Sequence, residues 1–150
     1  MNKEAVYEQL KIDEGVVYAT YKDHLGYPTF GVGHLVLKTD PEYGVPEGTA
    51  VSEDRVKECF EKDLEIATSE CYALYGPGTF VALPDEVQQI LVNLMFNMGR
   101  PRLSGFKNFN AAVIKGNWAT AADEMVDSRW YTQVGDRAKR LEQRMRAVTS

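Results

Sequence analysis

Strand-type patterning in this chain is confined to one short stretch, from Val16 to Leu35, while from Ser52 onward apolar residues recur mainly at spacings of three and four. A sequence whose strand and helix signals are segregated in this way cannot alternate them into a parallel sheet. It predicts an α+β fold, with a small sheet near one end and helices making up the remainder. Val16 to Lys22 is rich in Val, Tyr and Thr, which suit a pleated strand. Thr29 to Val32 follows after the connection His24-Leu25-Gly26-Tyr27-Pro28, so the pair reads as a hairpin. Gly31 and Gly33 leave alternate positions of the second strand bare, where a ligand or another backbone can approach closely. Between Val36 and Ala50, two prolines and two glycines demand an irregular passage with at most one short further strand.

The helices carry their own boundary signals. An N-terminal helix with Val6 and Leu10 on its apolar side ends at Gly15, directly after Glu14. Ser52 is a good N-cap, and Glu53 and Asp54 complement the positive end of the helix dipole. Val56, Phe60, Leu64, Ala67, Cys71 and Leu74 then predict a long amphipathic helix to about Tyr75, stopped by Gly76-Pro77-Gly78. Pro84, Asp85 and Glu86 start a core helix whose apolar residues run from Val87 through Ile90, Leu91, Leu94 and Met95 to Met98, ended by Gly99. Shorter helices are predicted over Asn108 to Lys115, from an Asn117 N-cap to about Asp127, and after a cap at Asp136. The expected organisation is a single domain, with a small β lobe over about 13–51, a long helix over about 52–75 and an all-helical lobe over about 76–150.

Composition narrows the class further. With 44% hydrophobic and 26% charged residues, the 150-residue chain has ordinary globular usage, long enough to bury about two-thirds of the surface its unfolded form exposes. No apolar run reaches membrane-spanning length, and Met1-Asn2-Lys3-Glu4 leads into an amphipathic helix instead of a signal core. The expectation is therefore a monomer with neither signal peptide nor membrane insertion. The net charge of −5 opposes phosphate contacts and argues against nucleic acid, although the end of the chain from Ser128 holds six basic residues against two acidic ones. That basic surplus could attract an anionic polymer or could form a solvated helix face around Arg137, Lys139, Arg140, Arg144 and Arg146. Cys59 and Cys71 lie twelve residues apart on one predicted helix, about 18 Å along its axis, so both are expected to be free thiols packed in an apolar face.

Chemistry is concentrated around the hairpin. Breaking a glycosidic bond requires one carboxylic acid to protonate the leaving oxygen and a second carboxylate to assist water or stabilise the cationic sugar. Glu14 at a helix end and Asp23 at a hairpin loop can supply the two, and the Thr29 hydroxyl, which both donates and accepts, can orient the water. Taken singly, each has a plainer use: Glu14 as a helix-terminal surface acid, Asp23 as a turn residue capping backbone amides, Thr29 as a strand filler. His34 is one of only two histidines and has no Cys-x-x-Cys or suitably spaced second histidine beside it, which argues against zinc. Neither a metal nor an organic cofactor is expected.

The ordered set Asp13-Glu14-Gly15, Asp23 and Gly26-Tyr27-Pro28-Thr29-Phe30-Gly31-Val32-Gly33-His34-Leu35 resembles the phage-type lysozymes, glycoside hydrolase family 24. Downstream, Phe60-Glu61-Lys62-Asp63-Leu64, Asn93-Leu94-Met95-Phe96-Asn97-Met98-Gly99, Ser128-Arg129-Trp130-Tyr131-Thr132-Gln133 and Asp136-Arg137-Ala138-Lys139-Arg140 fall in the family's order. The resemblance implies a two-lobed muramidase that hydrolyses the β-1,4 bond between N-acetylmuramic acid and N-acetylglucosamine of peptidoglycan. It makes Glu14 the general acid, and Asp23 and Thr29 the groups that hold the attacking water. Such a pair inverts the anomeric centre and needs its carboxyl groups about 6.5–9.5 Å apart. The same resemblance pairs Arg137 with the acid and His34 with Asp63, and sets Leu35 and Phe96 in the sugar-binding cleft, although packing roles would suit both equally. Asn97 stands where T-even members carry a longer glutamine, and Phe109 and Glu124 replace polar saccharide contacts, so subsite preference should differ. The implied biology is host lysis by an endolysin made in the bacterial cytoplasm and acting in the periplasm after holin-dependent delivery. Alternatives are a tail-associated lysozyme carried by the virion, a non-catalytic saccharide-binding virion module, and a cysteine hydrolase using Cys59 and His34.

Overall fold

A computed structural model describes residues 1–148 and divides the chain into two compact units: Lys3–Glu65, and Met1–Asn2 together with the described chain from Ile66 onward. The elements of the first unit are α1 (Lys3–Glu14), β1 (Val17–Lys22), β2 (Pro28–Gly31), β3 (His34–Leu35) and the start of α2 (Glu53–Tyr75). The α+β expectation therefore holds: a three-stranded antiparallel sheet, ordered β1-β2-β3, lies near the N-terminus and the rest is helical.

In the first unit, α1 buries Val6 and Leu10 and sets Tyr7 against Phe60 of α2, with ring centroids 4.5 Å apart. Gly15, at φ +75°, takes the left-handed conformation that ends the helix and lets the chain reverse into β1. Register across the sheet pairs Tyr21 with Thr29 and Thr29 with Leu35, so these three residues form one cross-strand row. Opposite residues of antiparallel strands share a face, which puts Phe30 and its partner His34 on the other side, their rings 5.0 Å apart. The register of β1 against β2 shifts between Val17 and Tyr21. The short further strand that the sequence allowed between Val36 and Ala50 lies just before that passage, as β3, whose two residues are too short to show a period. The outer edge of β1 is covered by the irregular passage: Thr20 and Val51 donate backbone N–H groups to Thr49 and Tyr18 at 2.9 Å, and Ala19 bridges Ala50.

Ser52 caps α2 as expected, its Oγ accepting the Arg55 N–H at 3.1 Å. Val56, Cys59, Phe60, Leu64, Ala67, Cys71 and Tyr75 are the buried stripe of that helix. The second unit contains α3 (Pro77–Ala82), α4 (Asp85–Ser104), α5 (Lys107–Lys115), α6 (Trp118–Val126), α7 (Arg129–Val134) and α8 (Asp136–Arg146). α4 is buried on more than one side: Val87, Ile90, Leu91, Val92 and Leu94 are all at most 1% exposed, as a central helix requires. Gly99 interrupts it with φ 78° and ψ 164°, and a further helical piece containing Pro101 continues to Ser104. Two helices depart from the sequence expectation. Gly76-Pro77-Gly78 both ends α2 and begins α3, since proline at the first position loses no hydrogen bond there. α7 starts where the Ser128 side chain accepts the Tyr131 N–H. Asp136 is the first residue of α8 and Gly135 its cap, one position earlier than predicted.

Candidate active site

The sequence-predicted acid, base and hydroxyl all belong to the first unit. Glu14 is the last residue of α1, half-buried, and lies against Gly33, where an added Cβ would be 3.6 Å from its Oε2; Gly33 sits in the turn after β2, which ends at Gly31, and not in the strand as the sequence suggested. Asp23 closes the β1–β2 loop. Its Oδ1 accepts the backbone N–H groups of Leu25 and Tyr27, each at 2.9 Å, so the turn-capping use open from sequence is realised at one oxygen. Among the described residues no donor engages Oδ2, which remains available to a ligand. Thr29 is 2% exposed and its Oγ1 donates to the Tyr27 carbonyl at 2.9 Å. With its proton committed, the hydroxyl presents lone pairs, and so acts as acceptor toward any further partner.

Tyr21 joins these groups and was missed from sequence. It stands directly across from Thr29, and its phenol is pushed above the usual tyrosine range first by burial and then by the negative charges of Glu14 and Asp23. One side chain therefore senses both carboxylates while lying in register with the hydroxyl. A tyrosine two residues before Asp23 was visible in the sequence, but only the pairing of β1 with β2 across the loop makes it a neighbour of Thr29. Leu35 completes the row on the far side of Thr29, half-exposed as a contact surface would be.

On the opposite face, His34 forms the predicted contact with Asp63, Nδ1 to Oδ2 at 2.7 Å, and a second one absent from the sequence expectation, Nε2 to Asp40 Oδ2 at 2.8 Å. Burial alone would favour the neutral ring, but the hydrogen bonds and charges of Asp63 and Asp40 outweigh it and raise the His34 pKa above its usual value. Burial likewise opposes the Asp40 charge, yet the Leu37 N–H, His34 and Arg55 together hold that carboxyl below the ordinary range. Arg55 extends the network to Glu42 at 2.9 Å and Glu58 at 2.9 Å, fastening the irregular passage to α2. Its guanidinium is held more firmly protonated, chiefly by the Glu42 hydrogen bond. Among the described residues no cluster of His, Cys, Asp and Glu is arranged to hold a metal.

The remaining predicted residues lie in the second unit. Arg137 is 7% exposed, with Nε and Nη2 both on Asn93 Oδ1, at 3.0 and 2.8 Å, so it does not belong to a solvated face of α8. Arg144 and Arg146 are tied to Glu86 at 2.8 Å and Asp123 at 2.9 Å, which consumes much of the basic surplus in internal ion pairs. Asn97 accepts the Trp130 Nε1–H at 2.8 Å, and Phe96 is half-buried beside it in sequence. Both cysteines are free and buried, with burial pushing the Cys59 thiol up to about 11 and Cys71 to about 12. Thiols so far from ionisation at neutral pH are poor nucleophiles, which removes the cysteine-hydrolase alternative.

The family model described as phage lysozyme matches residues 11–147, and the chain belongs to that family. It is a lysozyme, a glycoside hydrolase. Similar proteins include "Probable T4-type lysozyme 1" of Dictyostelium discoideum, 29% identical over 91% of each chain. The "Endolysin" of Salmonella phage P22 is 30% identical over 77% of this chain and 74% of its own. The "Pre-baseplate central spike protein Gp5" of Enterobacteria phage T4 is 29% identical over 89% of this chain but only 26% of its own length.

Proposed function

We propose that the protein is an inverting muramidase that cuts the β-1,4 bond between N-acetylmuramic acid and N-acetylglucosamine of peptidoglycan. The observation that carries this reading is that the three groups gather around one small sheet: Glu14 lies against Gly33 just past β2, Asp23 starts the β1–β2 loop with one carboxylate oxygen held by loop amides, and Thr29 stands in β2. Glu14, protonated, gives its proton to the glycosidic oxygen as the bond to the anomeric carbon breaks. Water held by Asp23 Oδ2 and accepted by the Thr29 hydroxyl attacks that carbon from the opposite side, and Asp23 takes its proton. Net, one bond is hydrolysed and the acid and base are reset by proton exchange with solvent. Leu35 and Phe96 contact saccharide in this scheme, and Arg137 supports the structure through Asn93. His34, Asp63 and Asn97 support the structure.

For the biology we propose host lysis, acting on the wall from the periplasmic side with a membrane lesion as the delivery route. Likeness to an endolysin favours it. Likeness to a central spike protein favours a second setting, virion-borne wall penetration, in which the chemistry is unchanged. Retention of acid, base and hydroxyl speaks against a non-catalytic module. The test is turbidity loss of outer-membrane-permeabilised Gram-negative cells, combined with mass analysis of the released fragments. Glu14→Gln should abolish clearing, and the parent should release fragments ending in free reducing muramic acid. Clearing by Glu14→Gln at the parent rate, or anhydro-sugar ends, would overturn the proposal.

A further inference from the structure

The loop from Asp23 to Tyr27 is folded around a single carboxylate. Besides the Leu25 and Tyr27 N–H groups on Oδ1, the Asp23 N–H donates to the Tyr27 carbonyl and the Gly26 N–H to the Asp23 carbonyl, each at 2.9 Å. Both ends of the loop and its interior thus close on the residue that the proposed reaction uses. The terminal torsion of an aspartate is broad and roughly two-fold, so without such donors the two oxygens would exchange roles freely. With both amides on Oδ1, the orientation of Oδ2 is set by the backbone.

Gly26 stands between the two donating residues at φ +86°, and a Cβ there would meet nothing within 4 Å. Space therefore does not demand glycine at this position; conformation does. The left-handed region is costly for side chains other than asparagine and aspartate, and most costly for β-branched ones.

We propose that Gly26 is a positioning residue for the hydrolytic water: its left-handed backbone turns the Leu25 and Tyr27 N–H groups onto one oxygen of Asp23 and so fixes how the other is presented. The inference rests on the assignment of Asp23 as the water-holding carboxylate, and it adds that the loop backbone, not packing, sets that group's geometry. Displacement of a reacting group by about 1 Å can cost on the order of a hundred-fold in rate. A conformational penalty of the usual size at Gly26 corresponds to about a 5- to 30-fold loss of the oriented loop.

The experiment compares Gly26→Val, Gly26→Asn, Gly44→Val and Asp23→Ala in kcat, KM and thermal midpoint on a soluble peptidoglycan oligosaccharide of defined length. Gly44 is the control, because it has φ +82° and equally open space but sits in the passage after β3. Gly26→Val should lower kcat about ten-fold with KM within about two-fold, as expected for an interaction needed only in the transition state. Gly26→Asn should recover most of that loss, because asparagine tolerates the left-handed region. Gly44→Val should lower the thermal midpoint comparably while keeping kcat. A Gly26→Val enzyme with parental kcat, or an equal kcat loss in Gly44→Val, would overturn the role of Gly26 even if Asp23→Ala is inactive. An active Asp23→Ala would instead sink the assignment of Asp23 itself, and the inference with it.

Discussion

Replacing His34 by Gln removes a charge held between two carboxylates and should make the protein's stability depend on pH in a defined direction. At pH 5.5 the protonated ring donates from Nδ1 to Asp63 at 2.7 Å and from Nε2 to Asp40 at 2.8 Å. Charge-assisted hydrogen bonds contribute about 1.5–3 kcal/mol each. The side chain of His34 is 8% exposed but those of Asp40 and Asp63 are 14% and 25% exposed, so the lower end applies and the two together amount to about 3 kcal/mol. For a chain of this length that is a drop in melting temperature of roughly 6–12 °C. The folded pKa of His34 is raised, so its contribution is complete below the unfolded value of about 6.5 and drains away as pH rises through the folded value. The folded pKa of Asp40 is lowered, so its contribution is present above about 3.9 and is lost as pH falls through its folded value. The full effect therefore occupies about pH 4 to 6.5 and should shrink to about 1 kcal/mol by pH 9, where a neutral ring keeps one donor. Circular dichroism melts of parent and His34→Gln at pH 5.5 and 9 measure the difference. An equal or larger loss at pH 9 would refute the charged, doubly bonded histidine.

Gly31→Ala should destabilise by about 2–4 kcal/mol in urea unfolding, combining a left-handed penalty with overpacking. Its φ is +65° and the new Cβ would lie 3.1 Å from Val56 Cγ1; an unchanged midpoint would contradict both causes. Trp130→Phe strands the Asn97 acceptor and opens space at a residue 1% exposed, at a cost of about 2–3 kcal/mol. Combining it with Asn97→Ala should cost less than the sum of the two single changes, and strict additivity would argue against the bond. Cys59 and Cys71 should resist a thiol-specific reagent in the native protein and react together on unfolding.

The legibility of this chain follows the reach of each signal. α5 and α6 could be read almost to the residue because Gly116 and Asn117 act locally: Gly116 takes φ 75° to end one helix and the Asn117 side chain accepts the Thr120 N–H to start the next. The stripe of α2 was legible because three- and four-residue spacing is a property of the chain itself, whereas the six-residue helices α3 and α7 are shorter than two turns and show no period. Glu14, Asp23 and Thr29 could be singled out as candidates from their order. Their arrangement could not be read, because the row of Tyr21, Thr29 and Leu35 depends on strand register, which no residue type announces. Asp40 shows the same limit, since an aspartate in an irregular passage gives no sign that it will fold back onto a histidine six residues earlier.

The central claim is that water held by Asp23 and Thr29 attacks from the face opposite the bond protonated by Glu14. Proton NMR of a soluble oligosaccharide substrate, recorded before mutarotation, reads it directly. The new reducing end should first be the α anomer, and the β anomer at that moment would contradict the account.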